Sequence, residues 1–196
     1  MTIATTERLT IQAYLSYADG ADDRYELVDG ELVRMPQGTG QHGDITEFLN
    51  DAFKLAIKQN QVPWVSKEMR TAIQSPRGGR WETARVPDII VLPTAQWNRY
   101  KNREAFIPLN EPPPILVVEV VSPSTIAIDY REKYREYEAL NIAEYWIVDP
   151  IEAKITLCTL RDGAYHDRVL INEDLIDSPT LGELNLTVAE VLAAEI

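Results

Sequence analysis

Two acidic residues in this chain sit where acids are costly. Glu119 interrupts the apolar run ILVVEVV at 115–121. Strand alternation puts Val117, Glu119 and Val121 on one face of that run and Leu116, Val118 and Val120 on the other. A carboxylate inside such a strand costs several kcal/mol unless it is paired, protonated or bound to a cation. Asp88 repeats the pattern: it follows Pro87 in VPDIIVL at 86–92 and precedes four apolar residues. Two neighbouring strands that each contribute one carboxylate can place oxygens around a hard divalent cation. Such an ion polarises a phosphodiester and acidifies a bound water. The plain alternatives are a Glu at an exposed strand end or paired with an arginine, and a Pro-Asp turn.

A third group follows Glu119. Asp129, Lys133 and Tyr137 stand at i, i+4 and i+8 of a helical stretch, DYREKYREYEAL, and so share one face. In the functional reading, Lys133 reaches toward Glu119 to orient water or to neutralise charge developing on a phosphate. Ser122-Pro123-Ser124 then bends the chain from the strand end into the helix. The structural alternative makes Asp129 and Glu132 a capping box and Asp129–Lys133 an ordinary helical ion pair. Tyr130, Tyr134 and Tyr137 have the spacing of residues packed on a sheet rather than of a base-stacking platform.

The elements that must position these residues are readable in outline. LTIQAYLSYAD has helical spacing, and YELVDGELVRM reads as two short strands joined by Asp29-Gly30, a pair suited to a tight hairpin turn. From Asp44 to Gln59, Ile45, Phe48, Leu49, Phe53, Ala56 and Ile57 line one helical face. VPWVSKEMRTAIQ predicts one or two strands, and SPRGGRWETAR a loop. Asn110, Glu111 and Pro112–Pro114 form a connector into the strand of Glu119. Strand EYWIVDP, with Trp146 assigned to the core and Asp149 to a turn, follows the helix; KITLCTL, AYHDRVL and a short terminal helix complete the chain. This order implies a mixed α/β sheet.

Composition narrows the function. A chain of 196 residues, 45% hydrophobic, supports one substantial core, and residues 1–196 are expected to form a single domain. No apolar run approaches the roughly 18 residues that span a bilayer, the opening MTIATTERLT has no signal-peptide pattern, and no membrane partner is expected. The single cysteine, Cys158, lies in a strand-like run and has no internal disulfide partner, which suits a reducing, cytoplasmic location. Without CxxC, HExxH or a His/Cys cluster, a zinc site is not expected. The net charge of −12 argues against tight non-specific binding of nucleic acid. It does not argue against a local site, because Arg77, Arg80 and Arg85 cluster around Gly78 and Gly79, and Arg99, Lys101 and Arg103 form a second basic group.

With these residues in view, the chain resembles the Uma family of restriction endonucleases, a branch of the PD-(D/E)XK nuclease superfamily common in cyanobacteria. The matching stretches are YELVDGELVRM (25–35), His42-Gly43, VPDIIVL (86–92), PPPILVVEVVSPST (112–125), D-x-x-x-K-x-x-x-Y (129–137) and AEYWIVDP (143–150), in the family's order. The resemblance implies a restriction-endonuclease-like core with flanking helices and an N-terminal β-hairpin. Asp88 and Glu119 match the two acidic positions of the superfamily motif. The motif lysine belongs two residues after the Glu, where this chain has Val121; Lys133, on the following helix, matches the family's substitute. His42 matches a position lining the cleft, its structural alternative being a helix cap or surface residue.

The expected activity is that of a Mg²⁺- or Mn²⁺-dependent endonuclease hydrolysing DNA phosphodiesters. Asp88 and Glu119 would bind metal, Lys133 would assist the attacking water, and His42, Asp129 and Tyr137 would support them. The loop arginines would contact phosphates, and a homodimer would suit double-strand cleavage. Two alternatives stand beside it: a nuclease for short or single-stranded nucleic acid, and a catalytically inactive descendant of the fold that binds a partner or oligomerises. The missing lysine at 121 and the acidic surface favour the last.

Overall fold

The computed structural model describes residues 8–17, 24–69, 71–76 and 81–194; Arg77 and Arg80 lie outside them. A short helix α1 (Ile11–Leu15) precedes a hairpin of β1 (Tyr25–Val28) and β2 (Glu31–Arg34). Asp29 and Gly30 both take positive φ, 49° and 76°, as a hairpin turn whose twist matches its strands requires. The long helix α2 (Gly40–Gln59) follows, N-capped by the side chain of Thr39. Next come β3 (Trp64–Glu68), β4 (Ala72–Ser75), β5 (Thr83–Arg85), β6 (Ile89–Pro93), α3 (Thr94–Asn98), β7 (Phe106–Ile107) and β8 (Leu116–Val120). After β8 the chain makes a π-helical turn (Ile128–Lys133) that runs into α4 (Tyr134–Ala139), then β9 (Glu144–Asp149), β10 (Lys154–Arg161) and β11 (Ala164–Ile171). A hairpin of β12 (Leu175–Ser178) and β13 (Gly182–Thr187), absent from the sequence reading, leads into α5 (Val188–Ala193).

The central sheet has the order β11-β10-β9-β8-β6-β3, with β8 and β9 parallel and the other neighbours antiparallel. A second sheet, β2-β1-β5-β4-β7, carries the hairpin. Parallel strands are stable when both faces are covered, and all five residues of β8 are buried. Leu116, Val118 and Val120 pack with Ile45, Leu49 and Phe53 of α2 and with Trp146. Val117 and Val121 pack with Tyr137 and Tyr145 on the opposite face, where Cys158 also lies. Alternation therefore turns Glu119 toward the π-helical turn and α4, and away from α2.

Candidate active site

The register of the two central strands brings the acids together. β6 and β8 pair with Ile89 opposite Val118, and continuing that ladder by one residue sets Asp88 opposite Glu119. Opposed residues of an antiparallel pair have Cβ atoms about 4.5–5.5 Å apart. Asp88 is anchored at this strand end, where its Oδ2 accepts the Val120 amide at 2.7 Å. Its Oδ1 lies 3.0 Å from Nε2 of His42. His42 sits in the first turn of α2, its own amide donating to Oγ1 of the N-cap Thr39. Gly38 allows this placement, because a Cβ there would meet the imidazole at 3.2 Å.

Glu119 is 3% exposed. Its Oε1 accepts the Tyr137 hydroxyl at 2.7 Å and its Oε2 contacts Lys133 Nζ at 2.8 Å. The same ammonium lies 3.4 Å from Asp129 Oδ1 and 3.6 Å from Glu26 Oε1. Five buried carboxylates are thus gathered here: Glu119, Asp129 and Glu26 about Lys133, Glu26 and Glu136 about Arg85, and Asp88 opposite Glu119. Burial alone would drive Lys133 toward neutrality, but Glu119, Glu26 and Asp129 together hold its ammonium well above the ordinary range. Burial raises the proton affinity of Glu119; Lys133 opposes this, and Asp88, Asp129 and Glu26 add to it. Glu119 thus carries its charge at a cost that Lys133 only partly offsets. Asp129 is raised by its own burial. His42 is raised by its hydrogen bond to Asp88, against the effect of burial.

The sequence reading of the helix needs two corrections. Asp129, Lys133 and Tyr137 do meet around Glu119, but through a π-helical turn rather than a continuous α-helix. Asp129 lies inside that turn, buried, and caps nothing. Tyr145 packs edge-on against Tyr137, with ring centroids 5.0 Å apart, and donates to the Asp129 carbonyl at 3.1 Å. Tyr130 and Tyr134 hydrogen-bond to Asp149 and Asp167 and pack beside the sheet.

Arg85 is the larger correction. Expected among loop arginines facing phosphates, it is 1% exposed at the end of β5. It donates through Nε and Nη2 to Glu136 at 2.8 Å each, through Nη1 to Glu26 at 2.9 Å, and through Nη2 to Glu132 at 3.2 Å. A planar guanidinium fits such a crowd of carboxylates, and four of its five donors are taken up by them, buried away from any DNA surface. Of the second basic group, Arg99 and Arg103 both pair with Glu111, at 2.9 and 3.3 Å. Glu26, missed in the sequence, is 7% exposed on β1; its Oε1 accepts the Val86 amide at 3.0 Å.

Among the described residues, no group of three or more His, Cys, Asp or Glu side chains is arranged to hold a metal by itself. Mg²⁺ needs no such group, because it keeps several waters and takes one or two carboxylates. Each oxygen of Asp88 and Glu119 already has one partner, and a carboxylate oxygen has a second lone-pair site. The surplus of carboxylate over ammonium and guanidinium is what a divalent cation would balance.

The fold and this arrangement are consistent with the PD-(D/E)XK-like superfamily. Residues 11–189 match the family Uma2, described as "Putative restriction endonuclease", and the chain belongs to that family. Two proteins of Synechocystis sp. (strain ATCC 27184 / PCC 6803 / Kazusa) are similar in sequence. "Uncharacterized protein sll1609" is 26% identical over 150 residues, covering 76% of this chain and 79% of its own. "Uncharacterized protein slr1290" is 26% identical over 184 residues, covering 93% and 89%. The fold is shared with the crystal structure of "a putative nuclease belonging to DUF820 from Anabaena variabilis ATCC 29413", with a TM-score of 0.74, 16% identity and coverage of 95% of this chain and 98% of that one.

Proposed function

We propose that this protein is a Mg²⁺-dependent endonuclease that hydrolyses DNA phosphodiester bonds, with Mn²⁺ as a functional substitute. The observation that supports it most is the pairing of Asp88 and Glu119 at the ends of β6 and β8, with two further buried carboxylates, Glu26 and Asp129, sharing one ammonium with Glu119. Charge buried at this cost has a use when a cation and a phosphate complete the site. Asp88 and Glu119 would hold the metal. When bound, the ion supplies charge neutralisation at the phosphate and acidifies a water.

The side chains divide the remaining work. Lys133, kept protonated by its three acidic neighbours, presents an ammonium that can turn from Glu119 toward a phosphate oxygen as negative charge develops there. Tyr137 fixes the Glu119 carboxylate, and the Val120 amide with His42 fixes that of Asp88. Asp129 completes the set that holds Lys133. The protein would act in the cytoplasm as one domain, and two copies would serve the two strands of a duplex. The net charge of −12 argues against tight non-specific binding of DNA, so contact with the substrate would centre on the site itself.

The test is calorimetric binding of Mg²⁺ and Mn²⁺ to the wild type and to Glu119→Ala, with cleavage of plasmid and single-stranded DNA assayed on the same samples. Metal binding and cleavage that both vanish in the variant support the reading. A folded wild type that neither binds metal nor cleaves would overturn it in favour of a binding or scaffolding role on an inherited fold.

A further inference from the structure

The N-terminal hairpin is the one long sequence motif to which the active site so far assigns no task. It delivers a single acid to the centre: Glu26 lies on β1 between Tyr25 and Leu27, both buried. Its two oxygens face different cations. Oε2 takes Arg85 at 2.9 Å, and Oε1 lies 3.6 Å from Lys133 while accepting the Val86 amide. Arg85 in turn grips Glu136 with two donors and reaches Glu132, one residue before Lys133. One guanidinium therefore ties together β1, its own strand three residues before Asp88, and the helical segment that carries Lys133.

The departure from the superfamily motif explains the need for this. A lysine two residues after Glu119 would be fixed to it by the strand they shared. Lys133 arrives instead from a separate element, after Ser122–Thr125 and a π-helical turn. A flexible four-carbon side chain loses rotamer entropy when held, so its aim depends on contacts outside the strand. Local contacts supply one of these, Asp129 within the turn; Glu26 supplies a long-range one. We infer that Glu26 and Arg85 are positioning residues for Lys133: the hairpin is present to hold, through this pair, the ammonium that the strand itself lacks. The catalytic part of this inference rests on the nuclease reading above, whereas the positioning part concerns the metal-free protein.

Two measurements separate them. In the metal-free wild type, the side-chain ammonium of Lys133 should give a slowly exchanging ¹H–¹⁵N signal, as an ammonium held by three buried carboxylates must. Its absence at neutral pH would overturn the inference without any variant. In Glu26→Gln, which keeps shape and removes charge, that signal should be lost while the backbone amide spectrum is retained; an unchanged Lys133 signal would overturn the inference. For DNA cleavage, Glu26→Gln should lower kcat by roughly 10- to 100-fold with KM nearly constant, the range typical of groups that orient site residues from behind. Glu26→Asp, shorter but still charged, should retain more activity than Glu26→Gln. The reverse order would mark Glu26 as packing alone. If the wild type cleaves nothing, the nuclease reading fails, and the ammonium signal still decides the positioning role.

Discussion

Lys133 Nζ lies 2.8 Å from Glu119 Oε2, although β8 ends one residue after Glu119 and Lys133 closes a π-helical turn on the far side of a bend. A π-helical turn adds one residue to a helical circuit, and such turns gather at functional sites. Here the insertion keeps Asp129, Lys133 and Tyr137 all directed at one strand end.

Lys133→Met should expose how much the ammonium holds together. Removing one partner of a buried ion pair costs about 3–5 kcal/mol, and here Glu119, Asp129 and Glu26 would face each other without it. Urea unfolding in the presence of a chelator should show a loss of that order. Mg²⁺ should then raise the Tm of Lys133→Met more than that of the wild type, because a cation that binds only the folded state stabilises it. If Mg²⁺ raises neither Tm, the cluster is not a metal site.

Tyr137→Phe tests the opposite side of Glu119. The hydroxyl is buried and donates to the carboxylate at 2.7 Å, and hydrogen bonds to charged groups contribute about 1.5–3 kcal/mol. The denaturation midpoint should fall accordingly. Cleavage should weaken less than in Glu119→Ala, since the ligand remains but is no longer fixed. An unchanged midpoint would mean that the Glu119 carboxylate finds an equivalent donor elsewhere.

Much of this arrangement was legible in the sequence, for local reasons. The Asp29-Gly30 hairpin, the apolar face of α2, the core position of Trp146 and the alternation around Glu119 all follow from short-range patterns. Arg85 was not legible, because a three-residue strand, Thr83–Arg85, has too few positions to show alternation, and neighbouring glycines and arginines resemble a loop. Glu26 could have been found: like Glu119 it is an acid between buried apolar neighbours, but YELV is shorter than ILVVEVV and reads as half-buried. The π-helical turn leaves no periodic trace over six residues, and the hairpin of β12 and β13 has only scattered buried positions.

The pH dependence of stability should separate His42 from Glu26. His42 is raised above the ordinary histidine value of 6.5 by its hydrogen bond to Asp88. Its contribution is therefore fully present below about pH 6.5 and is lost as pH rises through the folded-state value. Glu26 moves the other way: burial would raise it, but Lys133 and Arg85 hold it below 4.5, so its contribution is present above that pH and lost on acidification. The stability difference between the wild type and His42→Gln should shrink as pH rises above about 6.5. The difference for Glu26→Gln should shrink only in acid. Thermal melts from about pH 3 to about pH 9 in a chelator check both, and a His42→Gln difference that grows with pH would refute the Asp88 contact.

Glu144→Gln supplies a variant that weakens the fold without touching the site. Glu144 is fully buried at the start of β9, where it lies opposite Leu116, at the other end of β8 from Glu119. Its Oε1 accepts Trp146 Nε1 at 2.6 Å, and its Oε2 accepts the Ser178 hydroxyl and the Thr180 amide, each at 2.9 Å, pinning the β12–β13 hairpin to the central sheet. Glutamine keeps one acceptor oxygen and sets an amide donor against groups that must themselves donate. An unsatisfied buried donor costs about 1–3 kcal/mol, so unfolding in urea should come earlier by that amount. At temperatures well below the melt, Mg²⁺ affinity and DNA cleavage should equal those of the wild type, because none of Asp88, Glu119, Lys133 and Glu26 touches this network. Cleavage that falls with Glu144→Gln as far as with Tyr137→Phe would show that the Tyr137 effect reports general loosening of the sheet rather than the hold on Glu119.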